Sequence, residues 1–255
     1  MEKPTIEVLR NIYLSDRDAQ YVESQYPECR PKGWCPTCDG KDPDCDHELQ
    51  VQAFKHYANA GIGLTYMRIS WDMYFGDERI RDFCMKYEEN LKAFKENDIG
   101  MLFLGSNGIG KTTAMSLLLK DLVLRKQKCF FTTYSKLVTM LGDSFYSPEA
   151  RKIYNDRIIN STFLGIDDVG KEMTNRLTTN TIDNVLRERI QASRPTFMTS
   201  NLSRGELLKE YGKSSFSLLM EAARIFEIDD ERDVRSNVRK SKLKLAEEGI
   251  VNPIV

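Results

Sequence analysis

The stretch Gly105-Ser-Asn-Gly-Ile-Gly-Lys111-Thr112 fits the phosphate-binding loop pattern G-x-x-x-x-G-K-[ST]. Residues 101–104 before it are apolar and predict a short buried strand, and residues 113–126 after it predict a Leu-rich helix. A bound phosphate needs this strand–loop–helix unit, because glycines let successive backbone amides point inward and the first turn of a helix favours an anion. The stretch therefore predicts a nucleoside triphosphate site on an α/β fold.

The loop residues divide by their expected contacts with ATP. Backbone amides and side chains of the whole stretch would surround the phosphates: Gly105, Ser106, Asn107, Gly108, Ile109, Gly110, Lys111, Thr112 and Thr113. Lys111 would reach the outer phosphates, and the Thr112 hydroxyl would ligate Mg²⁺. A Gly-rich turn before an ordinary helix is the competing interpretation, and the flanking strand and helix argue against it.

The composition of the 255-residue chain suits one medium α/β domain with a small appendage. Its net charge of −1 provides no overall field that attracts nucleic acid, so any such contact requires a local patch. No apolar run approaches the length of a membrane span, and the N-terminus lacks the apolar core of a signal peptide. We therefore expect a cytoplasmic protein with no membrane partner.

Four of the 6 cysteines fall close together, at Cys29, Cys35, Cys38 and Cys45, and His47 follows them. Zinc takes four sulfur or nitrogen ligands, and in a reducing compartment clustered cysteines are more often metal ligands than disulfides. The polar segment between these cysteines would gain its order from the metal. We predict a structural Zn²⁺ site formed by the four cysteines, with His47 as a substitute for either outer one. Redox-active or unligated thiols are the alternatives.

From residue 100 onward the pattern alternates between strands and helices, as a parallel sheet requires. Further strands are predicted at residues 129–133, 162–166, 196–199 and 224–228. Helical spacing of apolar residues is present at 77–97 and 181–192. The chain is predicted to consist of an N-terminal zinc-binding domain, a linker, a nucleotide-binding domain and a C-terminal tail, at residues 1–58, 59–75, 76–240 and 241–255.

An apolar strand at 163–166 ends in two carboxylates, Asp167 and Asp168. In nucleotide-binding folds the first acid lies near Mg²⁺ at the carboxyl end of such a strand, and the second can polarise the attacking water. We assign Asp167 to the metal, directly or through water, and Asp168 to the role of general base. Asn201 ends the next strand, where it would sense the γ-phosphate or the attacking water; a helix cap is its competing use.

These motifs together resemble the DnaC/DnaI/IstB group of AAA+ ATPases, above all the replicative helicase loaders of bacteria and their phages. The matching residues are 105–113, 163–170, 195–201 and 225–235. The resemblance covers roughly residues 60–240. The cysteine segment is similar in placement to the N-terminal zinc module of DnaI-type loaders. The resemblance implies an AAA+ P-loop parallel sheet flanked by helices, preceded by a small zinc-binding and helical domain.

The resemblance also implies a function. Loaders of this kind bind a hexameric replicative DNA helicase through the N-terminal module, and their ATPase module binds single-stranded DNA and ATP. They deliver the helicase onto single-stranded DNA during replication initiation, and several copies engage one hexamer, which implies self-association in the complex. An IstB-like transposition regulatory ATPase is the alternative. A small-molecule kinase and a zinc adaptor with a vestigial nucleotide site fit the pattern less well.

Two arginine positions of the family bear on hydrolysis. Arg235 matches the second sensor arginine, which contacts the nucleotide from the same chain. An arginine that reaches a neighbour's ATP is expected within residues 213–219, but Leu218 occupies that position. Three other cations are weak substitutes for it: Arg204, Lys213 and Arg224. The departure predicts ATP hydrolysis that is weak or stimulated by a partner.

Residues 141–160, between the second and third strands, are too long for a simple crossover. The segment interleaves aromatic and cationic residues, which can stack the bases and neutralise the phosphates of single-stranded DNA: Phe145, Tyr146, Arg151, Lys152, Tyr154 and Arg157. An amphipathic helix that packs its aromatic residues inward is an equally good interpretation. The basic stretch at 235–244 is interpreted as a solvated helix face, with DNA or partner contact as the second interpretation.

Overall fold

The computed structural model describes residues 47–170, 176–228 and 233–249. At its centre is a five-stranded sheet in which all neighbouring strands are parallel. The strands are β1 (Gly100–Gly105), β2 (Cys129–Thr133), β3 (Phe163–Asp167), β4 (Thr196–Ser200) and β5 (Ala223–Ile228). Their order across the sheet is β2-β3-β4-β1-β5. The predicted α/β parallel sheet is confirmed, and each strand end lies within one residue of its predicted position.

Helices pack on both faces of the sheet. In chain order they are α1 (His47–Asn59), α2 (Leu64–Met67), α3 (Glu78–Glu89), α4 (Leu91–Glu96), α5 (Lys111–Leu124), α6 (Tyr134–Ser144), α7 (Pro148–Tyr154), α8 (Arg176–Gln191), α9 (Arg204–Ala222) and α10 (Arg235–Glu247). The Asp77 carboxylate caps α3 by accepting from the Arg79 N–H at 2.8 Å. Asn90, with φ −111° and ψ 31°, separates α3 from α4 within the predicted helical stretch.

Alternate residues of β1 face opposite sides of the sheet. Met101 and Phe103 join the core that contains residues of α3 and α5, whereas Leu102 and Leu104 join the core that contains residues of α8 and α9. All four side chains are at most 1% exposed. Because strand side chains alternate and both faces are covered, the whole strand is apolar. This burial holds β1 in place, and the phosphate loop emerges from its carboxyl end.

The segment 59–75, predicted as a linker, is instead part of the packed domain. Met67 and Trp71 are buried in the same core as the apolar side of α5. Lys120 of α5 donates to the backbone carbonyls of Met67 and Ile69, at 2.7 Å each. Its ammonium group is buried and requires such acceptors, and burial lowers its pKa to about 8. Apolar packing and these buried bonds hold the segment against the phosphate-loop helix.

The turn after α1 covers the edge strand β2. The Phe131 N–H donates to the Ala60 carbonyl at 2.7 Å. Gly61 has a φ of +74°, and a Cβ at this position would come within 2.4 Å of the Phe131 carbonyl oxygen. Only glycine fits here without strain. The end of α1 is therefore joined directly to the margin of the sheet.

The long connection between β2 and β3 contains α6, α7 and a π-helical turn (Asn155–Ile159). Arg189 of α8 is fully buried and donates to the backbone carbonyls of Ile158, Ser161 and Pro195 at 2.8, 3.0 and 2.8 Å. Burial lowers the pKa of this arginine to about 9. Its several N–H donors connect the segment between β2 and β3 to the amino ends of β3 and β4. The phosphate loop lies at the opposite, carboxyl ends of the strands.

The predicted zinc ligands Cys29, Cys35, Cys38 and Cys45 lie outside the described residues, so the zinc site stays a prediction. In the ranges that the structure describes, no group of three or more His, Cys, Asp or Glu side chains is arranged to hold a metal ion. Within the same ranges, the helices are too short or too polar to cross a membrane.

Candidate nucleotide-binding site

The carboxyl ends of three adjacent strands meet at one edge of the sheet. The loop at 105–110 follows β1, Asp167 ends β3, and Asn201 follows β4. Because β4 lies between β1 and β3 and all three strands are parallel, these groups converge although Lys111 and Asn201 are 90 residues apart in sequence. Open parallel sheets bind their ligands at this edge.

The phosphate loop is shaped by glycines with left-handed backbone angles. Gly108 and Gly110 have φ values of 85° and 94°. A Cβ at Gly108 would come within 2.4 Å of the Asp233 carboxylate. Helix α5 begins directly after the loop, and the first N–H groups of a helix lack intrahelical partners and attract anions. The Gly108 carbonyl accepts from the Val234 N–H at 2.9 Å, which brings the start of α10 beside the loop.

The Lys111 side chain lies over this loop and is only 5% exposed. Its Nζ donates to the carbonyls of Gly105 and Ser106 at 2.8 and 2.7 Å and to Asn201 Oδ1 at 2.9 Å. Burial lowers the pKa of Lys111 to about 8, and the neighbouring Asp167 opposes that decrease. The ammonium group is therefore held where phosphate oxygens would lie, at the end of three strands.

Asp167 is 8% exposed and is held by two threonine hydroxyls. The Thr112 hydroxyl donates to Asp167 Oδ1 at 2.8 Å, and the Thr199 hydroxyl donates to the same oxygen. Burial raises the pKa of the Asp167 carboxyl, while these two hydrogen bonds oppose the increase. A threonine hydroxyl beside a carboxylate oxygen provides the hard oxygen ligands that Mg²⁺ takes.

Asp168 has a φ of 60°, a conformation that a residue other than glycine adopts at an energetic cost. Asn201 Nδ2 donates to Asp168 Oδ1 at 3.0 Å, and the Asp168 N–H donates to Thr199 Oγ1 at 3.0 Å. The Asn201 side chain thus connects Asp168 to Lys111, since its Oδ1 accepts from the lysine. The turn brings the second carboxylate to the same cavity as the first.

These groups line a cavity of about 480 Å³, within the size range of small-molecule sites. The sheet edge and phosphate loop form one wall. Residues of the 64–73 segment and α10 form the other: Thr65, Tyr66, Ile69, Val234, Arg235, Val238, Arg239 and Lys242. Lys242 Nζ lies 3.5 Å from the Thr65 carbonyl oxygen, so the two outer elements meet beside the cavity.

The residues present fit a magnesium-bound nucleoside triphosphate. Glycine angles and the start of α5 provide a cradle of amides, and Lys111 provides the charge for the outer phosphates. The Thr112 and Asp167 oxygens could hold the metal ion beside them. Ile69, Val234 and Val238 give the second wall apolar side chains against which the remainder of a nucleotide could lie.

No protein-family model matches the chain. The replicative helicase loader DnaC of Escherichia coli K12 is 24% identical over 130 residues, which are 50% of this chain and 53% of DnaC. The loader DnaI of Bacillus subtilis strain 168 is 26% identical over 153 residues, which are 59% of this chain and 47% of DnaI. The chain thus spans about half the length of the curated relatives it matches.

Solved structures share the fold. A crystal structure of the DnaC helicase loader has a TM-score of 0.59 at 20% identity and covers 66% of this chain and 100% of that one. A DnaI structure has a TM-score of 0.52 at 20% identity, with 64% and 92% covered. The replication initiator DnaA bound to AMPPCP and single-stranded DNA has a TM-score of 0.55 at 15% identity, with 69% and 53% covered.

In sequence and in fold, this chain is similar to the DnaC/DnaI-type AAA+ ATPases. The resemblance inferred from the sequence motifs is confirmed.

Within this domain, the predicted loop residues take three kinds of position. Six line the cavity: Asn107, Gly108, Gly110, Lys111, Thr112 and Thr113. Gly105 and Ser106 direct their carbonyls at the Lys111 ammonium. Ile109 is 2% exposed and belongs to the core, so only its backbone could contact a ligand.

The structure places the two positions at which the family pattern has an arginine in different surroundings. Arg235 begins α10 and lines the cavity, with its N–H donating to Asp233 Oδ1 at 3.0 Å. Leu218, at the position expected for a neighbour-directed arginine, is 7% exposed and packs in the core of α8 and α9. Of the weak substitutes, Arg224 lies over the Phe83 ring at 4.5 Å. Position 218 is therefore a packing position in this domain.

Two polar residues of the site were not predicted from the sequence. The Thr199 hydroxyl donates to the Asp167 carboxylate and accepts from the Asp168 backbone N–H, and its signal is a polar side chain near the end of an otherwise apolar strand. Tyr66 lines the cavity, where burial and Asp167 raise the pKa of its phenol while a hydrogen bond with Thr112 opposes the increase. No motif marks Tyr66, because its position depends on how the segment 59–75 packs on α5.

Proposed function

We propose that this chain is an ATP-binding helicase loader that binds a hexameric replicative DNA helicase and delivers it onto single-stranded DNA. The observation that carries the proposal is the joining of Lys111, Thr112 and Asp167 at one sheet edge, on a fold shared with DnaC and DnaI. A nucleotide site alone would suit many proteins, and the similarity to two loaders supports this function among them. The cytoplasmic location stays a prediction.

The hydrolytic roles follow from the contacts of the sheet edge. Lys111 would bind the outer phosphates, and Thr112 with Asp167 would hold Mg²⁺. The metal ion, when bound, neutralises charge on the phosphates. Asp168 accepts the proton of the attacking water, and the Asn201 amide, which donates to Asp168, keeps that carboxylate in position. A buried leucine occupies position 218, where an arginine would reach a neighbour's ATP. We therefore expect slow hydrolysis that a partner stimulates.

The N-terminal region is coupled to the nucleotide site by packing. Phe54 and Tyr57 of α1 are buried in the core that contains α5. The following segment lines the cavity with Thr65 and Tyr66 and is held to α5 by Lys120. We propose that the predicted zinc module ahead of α1 grips the helicase and that this packed segment links helicase binding to ATP binding.

We assign the contact with single-stranded DNA to the end of α6 and to α7. Phe145 and Tyr146 are 63% and 90% exposed, beside the exposed cations Arg151 and Lys152. Exposed rings next to cations suit base stacking and phosphate neutralisation. Tyr154 is 7% exposed and packs in the core, so the segment combines both sequence-based interpretations.

The leading test is complex formation with the replicative helicase of the same cell or phage. The full chain is mixed with the helicase with and without ATP, and the complex is measured by light scattering after size exclusion. We expect a complex, ATP-dependent loading onto single-stranded DNA circles, and loss of loading but not of helicase binding in Lys111→Ala. Absence of any complex would contradict the loader. Binding to duplex DNA without helicase would favour the IstB-like alternative.

The zinc assignment has its own test. Cys35→Ser should release the bound zinc and weaken helicase binding, because a tetrahedral site loses its order with one thiolate. Zinc content is measured by a chromogenic chelator, with Lys111→Ala as the control that should keep its metal. One zinc ion retained in Cys35→Ser would show that the ligand set is wrong.

The DNA assignment is tested with Phe145→Ala/Tyr146→Ala. We expect single-stranded DNA affinity to fall about 30-fold or more, since the variant removes two rings and stacking on each is worth about 1–3 kcal/mol per base. Leu64→Ala/Leu208→Ala is the matched control, because these apolar residues are also exposed, at 45% and 40%. Equal affinities for both double variants would exclude a stacking role for this segment.

A further inference from the structure

The cavity contains more cations than the family motifs assign. Among the described residues, its charged lining consists of four cations and two carboxylates: Lys111, Arg235, Arg239, Lys242, Asp167 and Asp168. A magnesium-bound triphosphate is still an anion, so an excess of cations suits it. The phosphate loop accounts for Lys111 and the second sensor for Arg235. Arg239 and Lys242 have no role in either motif.

Helical spacing puts these cations along one edge of α10. Arg235, Arg239 and Lys242 recur at i, i+4 and i+7, which is one side of a helix, and we call them the basic edge. Val238 and Leu245 pack against the core and fix the rotation of the helix so that this edge borders the cavity. The basic edge extends about 10 Å along the helix axis, enough to follow a phosphate chain away from the loop.

Two other lysines of α10 carry the same charge but do not line the cavity. Lys240 is exposed, and Lys244 is exposed with its Nζ 3.9 Å from Glu248 Oε1. The 3.5 Å approach of Lys242 Nζ to the Thr65 carbonyl shows that the basic edge spans from α10 to the 64–73 segment. Their location beside the cavity, and not their charge, distinguishes Arg239 and Lys242 from these two lysines.

We propose that Arg239 and Lys242 are nucleotide-binding residues that act within their own chain and supply positive charge that position 218 does not. A guanidinium group can donate two parallel hydrogen bonds to phosphate oxygens, and an ammonium group adds a point charge beside it. The basic edge then favours the triphosphate over the diphosphate, because the third phosphate brings further negative charge beside these cations. The inference rests on the proposed function, since it takes ATP as the ligand.

The test compares two double variants of the full chain that each remove two positive charges. Arg239→Ala/Lys242→Ala should weaken ATP binding about 10-fold and ADP binding less than about 3-fold, as expected for exposed charge-assisted contacts. Lys240→Ala/Lys244→Ala should change both by less than about 2-fold. Fluorescent ATP and ADP analogues report the affinities, and Arg239→Lys/Lys242→Arg should restore most of the loss. Equal losses in the two alanine variants would overturn the proposal.

Two further measurements distinguish a failure of the basic-edge proposal from a failure of the proposed function. If Lys111→Ala binds ATP as the wild type does, the proposed function fails; if it loses ATP while the two double variants match, only the basic edge fails. Mixing Arg239→Ala/Lys242→Ala with Lys111→Ala tests the restriction to one chain. Restored ATP binding in the mixture would mean that the basic edge serves a neighbouring chain and would overturn the inference.

Discussion

The two walls of the cavity differ in how firmly their side chains are held. On the sheet edge, Lys111 and Asp167 are 5% and 8% exposed and are surrounded by hydrogen-bond partners. On the α10 wall, Arg235 and Arg239 are exposed, and Lys242 lies 3.5 Å from a backbone carbonyl. Buried and bonded groups keep a fixed geometry, whereas long exposed cations adjust at little energetic cost. The wall formed by the sheet edge and the phosphate loop, which we call the firm wall, thus fixes the positions of the reacting groups. The α10 wall supplies positive charge on side chains that can move.

The largest expected effect is on the firm wall. Lys111→Ala removes the cation that the loop carbonyls and Asn201 hold in place, so ATP affinity should fall about 100-fold or more. Titration calorimetry measures the change, and Lys128→Ala, which removes an exposed lysine after α5, should bind as the wild type does. A loss of less than about 3-fold in Lys111→Ala would contradict the contrast between the walls.

Thr199→Val sharpens the comparison within the firm wall. The change keeps the side-chain shape but removes the hydroxyl that donates to Asp167 and accepts from the Asp168 N–H. Partner-stimulated kcat should fall about 10-fold with little change in KM, because the Asp167 carboxylate and the backbone turn at Asp168 each lose a hydrogen bond while the phosphate contacts persist. Thr139→Val, at an exposed position of α6, is the matched control. An effect on KM alone would assign Thr199 to binding.

The pH dependence of ATP affinity tests the burial of Lys111. Its pKa is lowered to about 8, so it is charged below that pH and loses its charge as the pH rises through it. ATP affinity should therefore decrease by up to about 10-fold at pH 9, where only about a tenth of the sites carry the proton. Between pH 8 and its ordinary pKa of 10.5 the unfolded chain binds more protons, so this lysine's contribution to the free energy of unfolding increases.

Affinity and stability should therefore change in opposite directions above pH 8. Binding is measured by calorimetry and stability by urea titration at each pH. Lys111→Arg, whose guanidinium does not titrate in this range, should show a flat affinity profile. An equally steep profile in that variant would assign the titration to another group.

The smallest expected effect is at Tyr66, where the two walls meet. Tyr66→Phe removes a phenol that faces Thr112 and Asp167 but keeps the ring, which packs near Phe131 with centroids 6.4 Å apart. The Mg²⁺ concentration needed for half-maximal ATP binding should increase about 3-fold, as for a lost hydrogen bond near a metal ligand. Tyr154→Phe, in the insertion, should leave it unchanged. No change in Tyr66→Phe would limit this tyrosine to packing.

The firm wall could be predicted from sequence because its signals are local. The loop spacing identifies Lys111 and Thr112, and the rule that parallel strands share a carboxyl edge brings Asp167 and Asn201 to them. Each of these residues lies at a strand end, so placing the strands places the residues. The zinc assignment used the same kind of spacing and stays a prediction.

The second wall could not be predicted in this way because it depends on tertiary packing. Tyr66 lies in a segment whose composition suggests a linker. The buried bonds from Lys120 and the packing of Met67 and Trp71 in the core attach that segment to α5, and neither is visible in the sequence. Arg239 and Lys242 look like a solvated helix face in the sequence. The packing of Val238 against the core decides which side of α10 borders the cavity.

The bond between the Ala60 carbonyl and the Phe131 N–H has a practical consequence for protein production. A fragment that starts at the predicted boundary, residue 76, would lack Ala60 and leave the outer margin of β2 open. Open strand margins recruit further chains and promote aggregation. A fragment meant to isolate the ATPase-like part should therefore begin ahead of His47, so that its own first helix protects the sheet from unwanted pairing.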